Sequence, residues 1–413
     1  MRNNGRRVVV TGLGAVSPCG NSVPESWGNI VAGRSGITRV TAFDPAGYGS
    51  QIAGEVKNFN PEDYIDRKEA KRMDRFVHLA MAASAEAMKG LEGTGFDGED
   101  FATVIGSGIG GIGTFETQHS NLVEKGPGRI SPFFIPMMIA DMASGLVSIR
   151  YGLKGPNYAT VSACASGGHA IAASFSLIRE GYAEASLTGG AESTISPMAL
   201  GGFSSMKALS TRNDDPERAS RPFDMDRDGF VMAEGAGIVL LEELHHAMDR
   251  GATVLAELVG VGMSGDAYHM TSPAPGGTGA IKAMRMALKD AGIDASEVDY
   301  INAHGTSTQY NDKAESESIN EVFGGRETLH VSSTKSCTGH LLGAAAGIEM
   351  ILCVRALLEQ TMPPTTNLDN VDPECAINHV RNTAIKKELN YILSNSFGFG
   401  GHNVSLLLKR FES

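Results

Sequence analysis

Cysteine is scarce in this chain. Its 413 residues include only Cys19, Cys164, Cys337, Cys353 and Cys375. The number is odd and no C-x-x-C pair occurs, so neither a disulfide framework nor a structural zinc site is expected, and no metal is assigned. Long apolar runs are missing too. No stretch of about 18 uncharged apolar residues reads as a membrane span. The basic start "MRNNGRRVVVTGLGAVSP" passes straight into a strand-like "RVVVTG", too short an apolar run for a secretory signal. Positive charge is also in deficit: 35 Lys and Arg stand against 47 Asp and Glu, a formal net charge of −12. A general nucleic-acid binder needs a basic footprint that this chain lacks. The expectation is a cytoplasmic protein with reduced thiols and neither nucleic acid nor membrane as partner.

Glycine, by contrast, is abundant, with 51 residues. Apolar runs lie between the glycines, so they mark tight turns and close backbone approaches rather than disorder. "FATVIGSG", "EASLTGGAE" and "GIVLLEEL" read as strands. "RFVHLAMAASAEAMKG", "SGGHAIAASFSLIREG" and "GGTGAIKAMRMALKDAG" read as helices, several closed by glycine. This alternation implies a layered α/β fold with a largely parallel sheet. A weak internal repeat adds to it. "YATVSACASGGHAIAASFSLIREG" (158–181) echoes "LHVSSTKSCTGHLLGAAAGIEMILCVRALLEQ" (329–360), with Cys164 to His169 and Lys335 to His340 equally spaced. "RVVVTGLGAVS" likewise echoes "VLAELVGVGMS" (254–264). The reading is two similar halves, 1–255 with a candidate nucleophile and 256–413 with its partners.

Two motifs fail on inspection. "GSGIGG" (106–111) follows a strand, but no second strand ending in an acid follows about 20 residues on, as a dinucleotide site requires. A glycine loop packed on another surface is the better reading. "DMDRDGFVMAEG" (224–235) opens like a calcium loop, yet Gly235 stands where the bidentate acid belongs. It reads as a turn of mutually paired charges.

Cys164 is different. "YATVSA" before it reads as a strand and "SGGHAIAASFSLI" after it as a helix, which puts the thiol at a strand–helix elbow. Unpaired N–H groups and the helix dipole there favour a thiolate, so a lowered thiol pKa is expected. Partners come from "YINAHGTSTQYND" with His304, Thr306 and Thr308, from "SSTKSCTGHLLGAAAGIE" with Lys335 and His340, and from the glycine loop "SNSFGFGGHN".

"ACASGGHA", "NAHGTST", "STKSCTGHLLGAAAG" and "NSFGFGGHN" resemble, in order, the signature segments of the condensing enzymes of fatty acid synthesis, and the likeness runs from "RRVVVTGLGAVSPCG" to the end. The resemblance implies a thiolase-like α/β fold, two duplicated halves in a five-layer αβαβα arrangement, assembled as a homodimer. It implies that Cys164 takes an acyl chain from acyl carrier protein. His304 and His340 then assist decarboxylation of a malonyl group, and a β-ketoacyl chain two carbons longer forms. Lys335 supplies positive charge, and the N–H groups of Cys164 and Phe399 form the oxyanion hole, Phe399 also acting as a gate. Thr306 and Thr308 hydrogen-bond the phosphopantetheine arm. Ile109 and Phe203 line the acyl pocket, Ile109 near the dimer interface. No cofactor is implied beyond the phosphopantetheine that carries the substrates. Arg67, Lys68, Lys71, Arg72 and Arg75 in "IDRKEAKRMDRF", with Lys207 and Arg212, supply a basic patch for the acidic carrier protein.

Two residues depart from the family pattern: Cys337 between Lys335 and His340, where packing is expected, and His402 in the glycine loop. A thiolase would carry a second cysteine in that loop, and "GFGGHN" has none. The synthase III branch pairs Cys with His and Asn, and here His340 is the second partner. Synthase I and polyketide ketosynthases share the Cys-His-His set, and "GHLLGAAAG" favours the type II branch. A non-catalytic chain-length factor lacks the nucleophile that Cys164 provides.

Overall fold

A computed structural model describes residues 5–91 and 96–412. Ten strands build the main sheet: β1 (Val8–Val16), β2 (Phe101–Gly106), β3 (Asn157–Tyr158), β4 (Ala185–Glu192), β5 (Gly235–Glu243), β6 (Ala256–Gly265), β7 (Tyr300–Asn302), β8 (His330–Ser332), β9 (Tyr391–Gly398) and β10 (His402–Lys409). Their order is β8-β7-β9-β10-β6-β1-β5-β4-β2-β3. This is one five-strand pattern used twice. Each half runs first, fifth, fourth, second, third strand from the centre outward, with antiparallel pairing at the first, fifth and fourth strands and parallel pairing beyond, so the sheet is mixed and not the largely parallel one expected. The halves meet where Val8–Val10 of β1 pair with Ala256–Leu258 of β6.

The helices that matter for the site are α1 (Arg67–Ala70), α2 (Arg75–Ala87), α3 (Ser166–Arg179), α4 (Thr278–Ala291), α5 (Gln309–Phe323), α6 (Lys335–Thr338) and α7 (Ala345–Glu359). Helices α3 and α7 touch each other and strands of both halves, so they form a central helical layer. Helix α2 covers the outer face of the first half, and α4, with α5 against it, covers the second. The result is five layers, α/β/α/β/α. The buried central helices explain why α7 is apolar almost all round (Ile348, Met350, Ile351, Leu352, Val354 and Leu357 are buried), as a helix with no solvent face must be.

The echo between "GLG" and "GVG" has a steric cause. A side chain on Gly12 or Gly14 of β1 would collide with the carbonyls of Ala87 and Ala83 on α2, at 2.1 and 1.8 Å. Gly260 and Gly262 of β6 stand in the same way against Ala287 and Ala283 of α4, at 2.3 and 1.9 Å. Both outer helices therefore dock backbone-close on their first strand.

The register of the longer repeat differs from the sequence reading. Short 3₁₀ turns, Ala163–Ala165 and Leu342–Ala344, introduce α3 and α7. Each opens on a non-glycine residue in the left-handed region, Ala163 at φ 51° and Leu342 at φ 49°. These turns are the equivalent points, so Cys164 matches Gly343 and not Lys335. The intervening helix α6 shifts Lys335 and His340 away from the equivalence that their spacing implied. Among the described residues no helix is long and apolar enough to cross a membrane.

Candidate active site

Cys164 sits in the 3₁₀ turn directly before α3 and is 8% exposed. The strand expected through residue 163 stops at Tyr158. Local side chains take over the backbone there: Ser166 Oγ accepts from Ser162 N at 2.9 Å and donates to Ala163 O at 2.7 Å, and Thr160 Oγ1 donates to Ser166 O at 2.7 Å. Ser and Thr hydroxyls compete with sheet ladders in this way. Together with the left-handed Ala163, they aim the thiol out of the turn. Strain of this kind, roughly 1–3 kcal/mol, gathers at functional sites.

The lowered thiol pKa is not found. Burial pushes the Cys164 thiol up to about 12, although Lys335 and the N–H groups of Phe399 and Cys164 itself pull the other way. Desolvation of a thiolate outweighs the helix end, so the thiol rests protonated. The two N–H groups do converge on it. Gly398 lies so close that a side chain there would sit 3.2 Å from Cys164 N.

His304 follows β7 and His340 follows α6, and both are 2% exposed. Their rings stand edge-on with centroids 5.4 Å apart. The Cys164 sulfur and one nitrogen from each ring lie within 4.8 Å of one another. His340 Nδ1 accepts from Leu342 N at 3.3 Å, so the neutral ring carries its proton on Nε2. Burial, reinforced by Lys335, holds both imidazoles well below their ordinary pKa, so both are neutral. Among the described residues His340 Nε2 and His304 Nδ1 have no hydrogen-bond partner.

Acids that sequence reading missed set this geometry. Glu315 on α5 accepts from the backbone N–H groups of His304 at 2.8 Å and Gly305 at 2.7 Å. Burial raises its pKa to about 7. Asp312, one turn earlier, accepts from Thr306 N at 3.0 Å and faces Arg227 at 3.6 Å. Lys335, fully buried on α6, pairs with Glu349 on α7. A signal for them exists. Asp312 and Glu315 occupy the inward stripe of α5 that Ile319 and Phe323 continue, and Glu349 interrupts the apolar run of α7.

The "GSGIGG" loop is filled by the protein's own anion. The Glu192 carboxylate, at the end of β4, accepts from Ser107 Oγ at 2.9 Å, Gly108 N at 2.6 Å, Ile109 N at 3.2 Å and Gly343 N at 3.0 Å. The nest that would cradle a pyrophosphate is thus closed. The calcium-like turn is also internal. Asp224 binds Arg221 and the N–H groups of Asp226, Asp369 and Asn370.

A cavity of about 480 Å³ opens onto the thiol, lined by Phe203, Thr306, Thr308, Phe397 and Phe399 among others, with Lys207 beside them. Thr306 Oγ1 and Thr308 Oγ1 are 2.9 Å apart. Phe203, Phe230 and His340 form an edge-on chain with centroids 5.4 and 5.3 Å apart. Ile109 is not part of this lining and is 40% exposed. Arg67, Lys68, Lys71 and Arg72 lie exposed on and after α1. Arg67 is paired with Glu62 at 3.4 Å, and Arg72 lies over the Phe133 ring at 4.7 Å. Arg75 is occupied by Glu234 at 2.7 Å. Cys337 is fully buried beside Thr366, a packing position. The exposed His402 ring meets His169 edge-on at 6.3 Å, and His169 Nδ1 bonds Ser162 Oγ at 2.7 Å.

Comparison with known proteins agrees with this arrangement. The family descriptions "Beta-ketoacyl synthase, N-terminal domain" and "Beta-ketoacyl synthase, C-terminal domain" match residues 5–247 and 255–369. A 3-oxoacyl-[acyl-carrier-protein] synthase 2 from Synechocystis sp. is 51% identical over 410 residues, 98% of this chain and 99% of that one. Among solved structures, a beta-ketoacyl synthase from Burkholderia phymatum superposes with a TM-score of 0.92 at 36% identity, covering 98% of this chain and 100% of that one. A type II polyketide-synthase ketosynthase, solved in complex with its acyl carrier protein and bound to the hexaketide, gives 0.92 at 33% identity with the same coverage. With a buried thiol, two neutral imidazoles and a duplicated five-layer frame around them, the chain belongs to the β-ketoacyl synthase family.

Proposed function

We propose that the protein condenses malonyl-acyl carrier protein with a Cys-bound acyl chain, releasing CO2 and giving a β-ketoacyl chain two carbons longer for fatty acid elongation. The observation that carries this reading is the meeting of Cys164, His304 and His340 within 4.8 Å at the end of one cavity. The Cys164 sulfur attacks the acyl thioester carbonyl. The oxyanion is taken by the N–H groups of Cys164 and Phe399. The carrier's sulfur leaves and receives the thiol proton, passed on by a neighbouring imidazole, because a thiol with a pKa near 12 does not arrive as thiolate. Malonyl-carrier protein then enters, with Thr306 and Thr308 holding its phosphopantetheine arm. His304 and His340 donate to the thioester oxygen as the malonyl C–C bond breaks, which stabilises the enolate. Its carbon attacks the Cys164 thioester, the C–S bond breaks, and the freed Cys164 sulfur takes a proton from solvent as the product leaves. Lys335, balanced by Glu349, supplies a fixed positive field.

Residues 1–255 bring the nucleophile and 256–413 its partners. Arg67, Lys68, Lys71, Arg72 and Lys207 dock the acidic carrier. The substrates bring the only prosthetic group assigned, and the reaction runs in the cytoplasm. A homodimer is supported by the exposed apolar residues between 109 and 161, including Phe115, Val123, Ile135, Ile149 and Val161, together with the open edge of β3.

The test is intact mass after incubation with long-chain acyl-carrier protein. One acyl adduct is expected, absent in Cys164→Ala. An unmodified mass, or an adduct that survives the substitution, rejects the reading.

A further inference from the structure

We propose that Cys164, His304 and His340 also form a three-donor site for a borderline-soft divalent cation, zinc above all, whose binding silences the enzyme. One sulfur and two imidazole nitrogens are the donor set of open, water-accessible zinc sites. Tetrahedral zinc, with Zn–S of about 2.3 Å and Zn–N of about 2.0–2.1 Å, places such donors about 3.4–3.6 Å apart. Here they lie within 4.8 Å, so closure needs side-chain movements of roughly 1 Å. No other group of three metal-ligating side chains comes this close among the described residues. Two further observations point to a ligand. Among the described residues His340 Nε2 is buried without a partner, while its Nδ1 is taken by Leu342 N. The same point opens on the solvent-connected cavity, which gives an ion a way in and leaves a fourth position for water. Lys335 opposes a cation here. Its charge is paired with Glu349, and a second buried carboxylate, Glu192, stands near the thiol.

Binding is not a redox event. The Cys164 S–H bond breaks, a sulfur–metal bond forms, and that proton passes to solvent. The His340 proton shifts from Nε2 to Nδ1 as Nε2 takes the metal, which gives up the 3.3 Å contact from Leu342 N. One proton is therefore released for each ion bound. The occupied sulfur no longer attacks a thioester, and the rings no longer donate to an enolate. The ion is an inhibitor, not a cofactor of the condensation.

The probe is cobalt(II) titrated into the full-length enzyme without any acyl substrate, so failure here leaves the condensing reading untouched. One equivalent should bind, with a thiolate-to-metal charge-transfer band and release of one proton. The band should vanish in Cys164→Ala and in Cys164→Ser. Affinity should fall at least about tenfold in His340→Ala. Zinc should displace cobalt and abolish condensation, and a chelator should restore it. No charge-transfer band in the wild type, a band that survives both Cys164 substitutions, or inhibition that chelation does not lift would each overturn the site. Proton release is read on the unmodified chain, so a variant that misfolds does not shield the proposal.

Discussion

At the scale of single residues, the site is governed by burial. The thiols of Cys164, Cys353 and Cys375 are each pushed up to about 12 from an ordinary value of 9.0. The sign follows directly. Below about pH 9 the thiols are protonated in both folded and unfolded chains, and their contribution to stability is complete. As pH rises from 9 towards 12 the unfolded chain releases protons that the folded chain keeps, so stability is lost. Thermal midpoints followed by circular dichroism should hold to about pH 9 and fall steeply above it. A flat curve to pH 11 would contradict the burial argument. Glu315 behaves likewise at lower pH. Its pKa of about 7 means that its contribution is complete below 4.5 and declines as pH rises through 7. Because it grips the backbone of His304, the condensation rate should show an inflection near pH 7. Glu315→Gln should remove that inflection and cost about 1–3 kcal/mol in denaturant unfolding, since an amide cannot accept from both N–H groups. The candidates Cys164, His304 and His340 were legible in the sequence because each stands beside glycine or alanine, and Lys335 because it is a charge among small hydroxyl residues. The protonation state of Cys164 was not. Helix position is local, whereas desolvation depends on what every other element stacks above the thiol.

At the scale of elements, helix α6 is fastened to α7 by one buried ion pair, Lys335 with Glu349. Removing one partner strands the other charge in a dry interior. Glu349→Leu or Lys335→Met alone should cost about 3–5 kcal/mol. The double variant should recover much of that loss in chemical denaturation. A double variant no better than the worse single one would show that the pair does not couple. The strand–helix alternation, the outer helices and the glycine-spaced strands β1 and β6 could all be read from pattern. The register of the longer repeat could not. Helix α6 occupies a position with no counterpart in the first half, and equal spacings around it arise by coincidence. The end of β3 at Tyr158 was also hidden, because the Ser166 hydroxyl, accepting from Ser162 N and donating to Ala163 O, competes with the ladder there, whatever the propensity.

At the scale of the molecule, a surface rich in apolar side chains on one stretch implies a cover. Ile149 is 75% and Val161 62% exposed, and both flank the edge strand β3. Light scattering should return about twice the 43.4 kDa of one chain. Ile149→Asp with Val161→Asp should shift it to the single-chain value, since a stable interface needs roughly 1,000 Å² or more of good complementarity. A single-chain mass for the wild type would remove the dimer.

The Glu192 carboxylate ties the two halves into one working unit. One of its oxygens serves Gly108 from the first half and Gly343 from the second. The two halves are therefore not interchangeable. One copy keeps the thiol at its turn, the other has glycine there, and a single acid belonging to the first copy satisfies both. Residues 1–255 alone would leave the Glu192 oxygen without Gly343, and residues 256–413 alone would leave the Gly343 N–H without its acceptor.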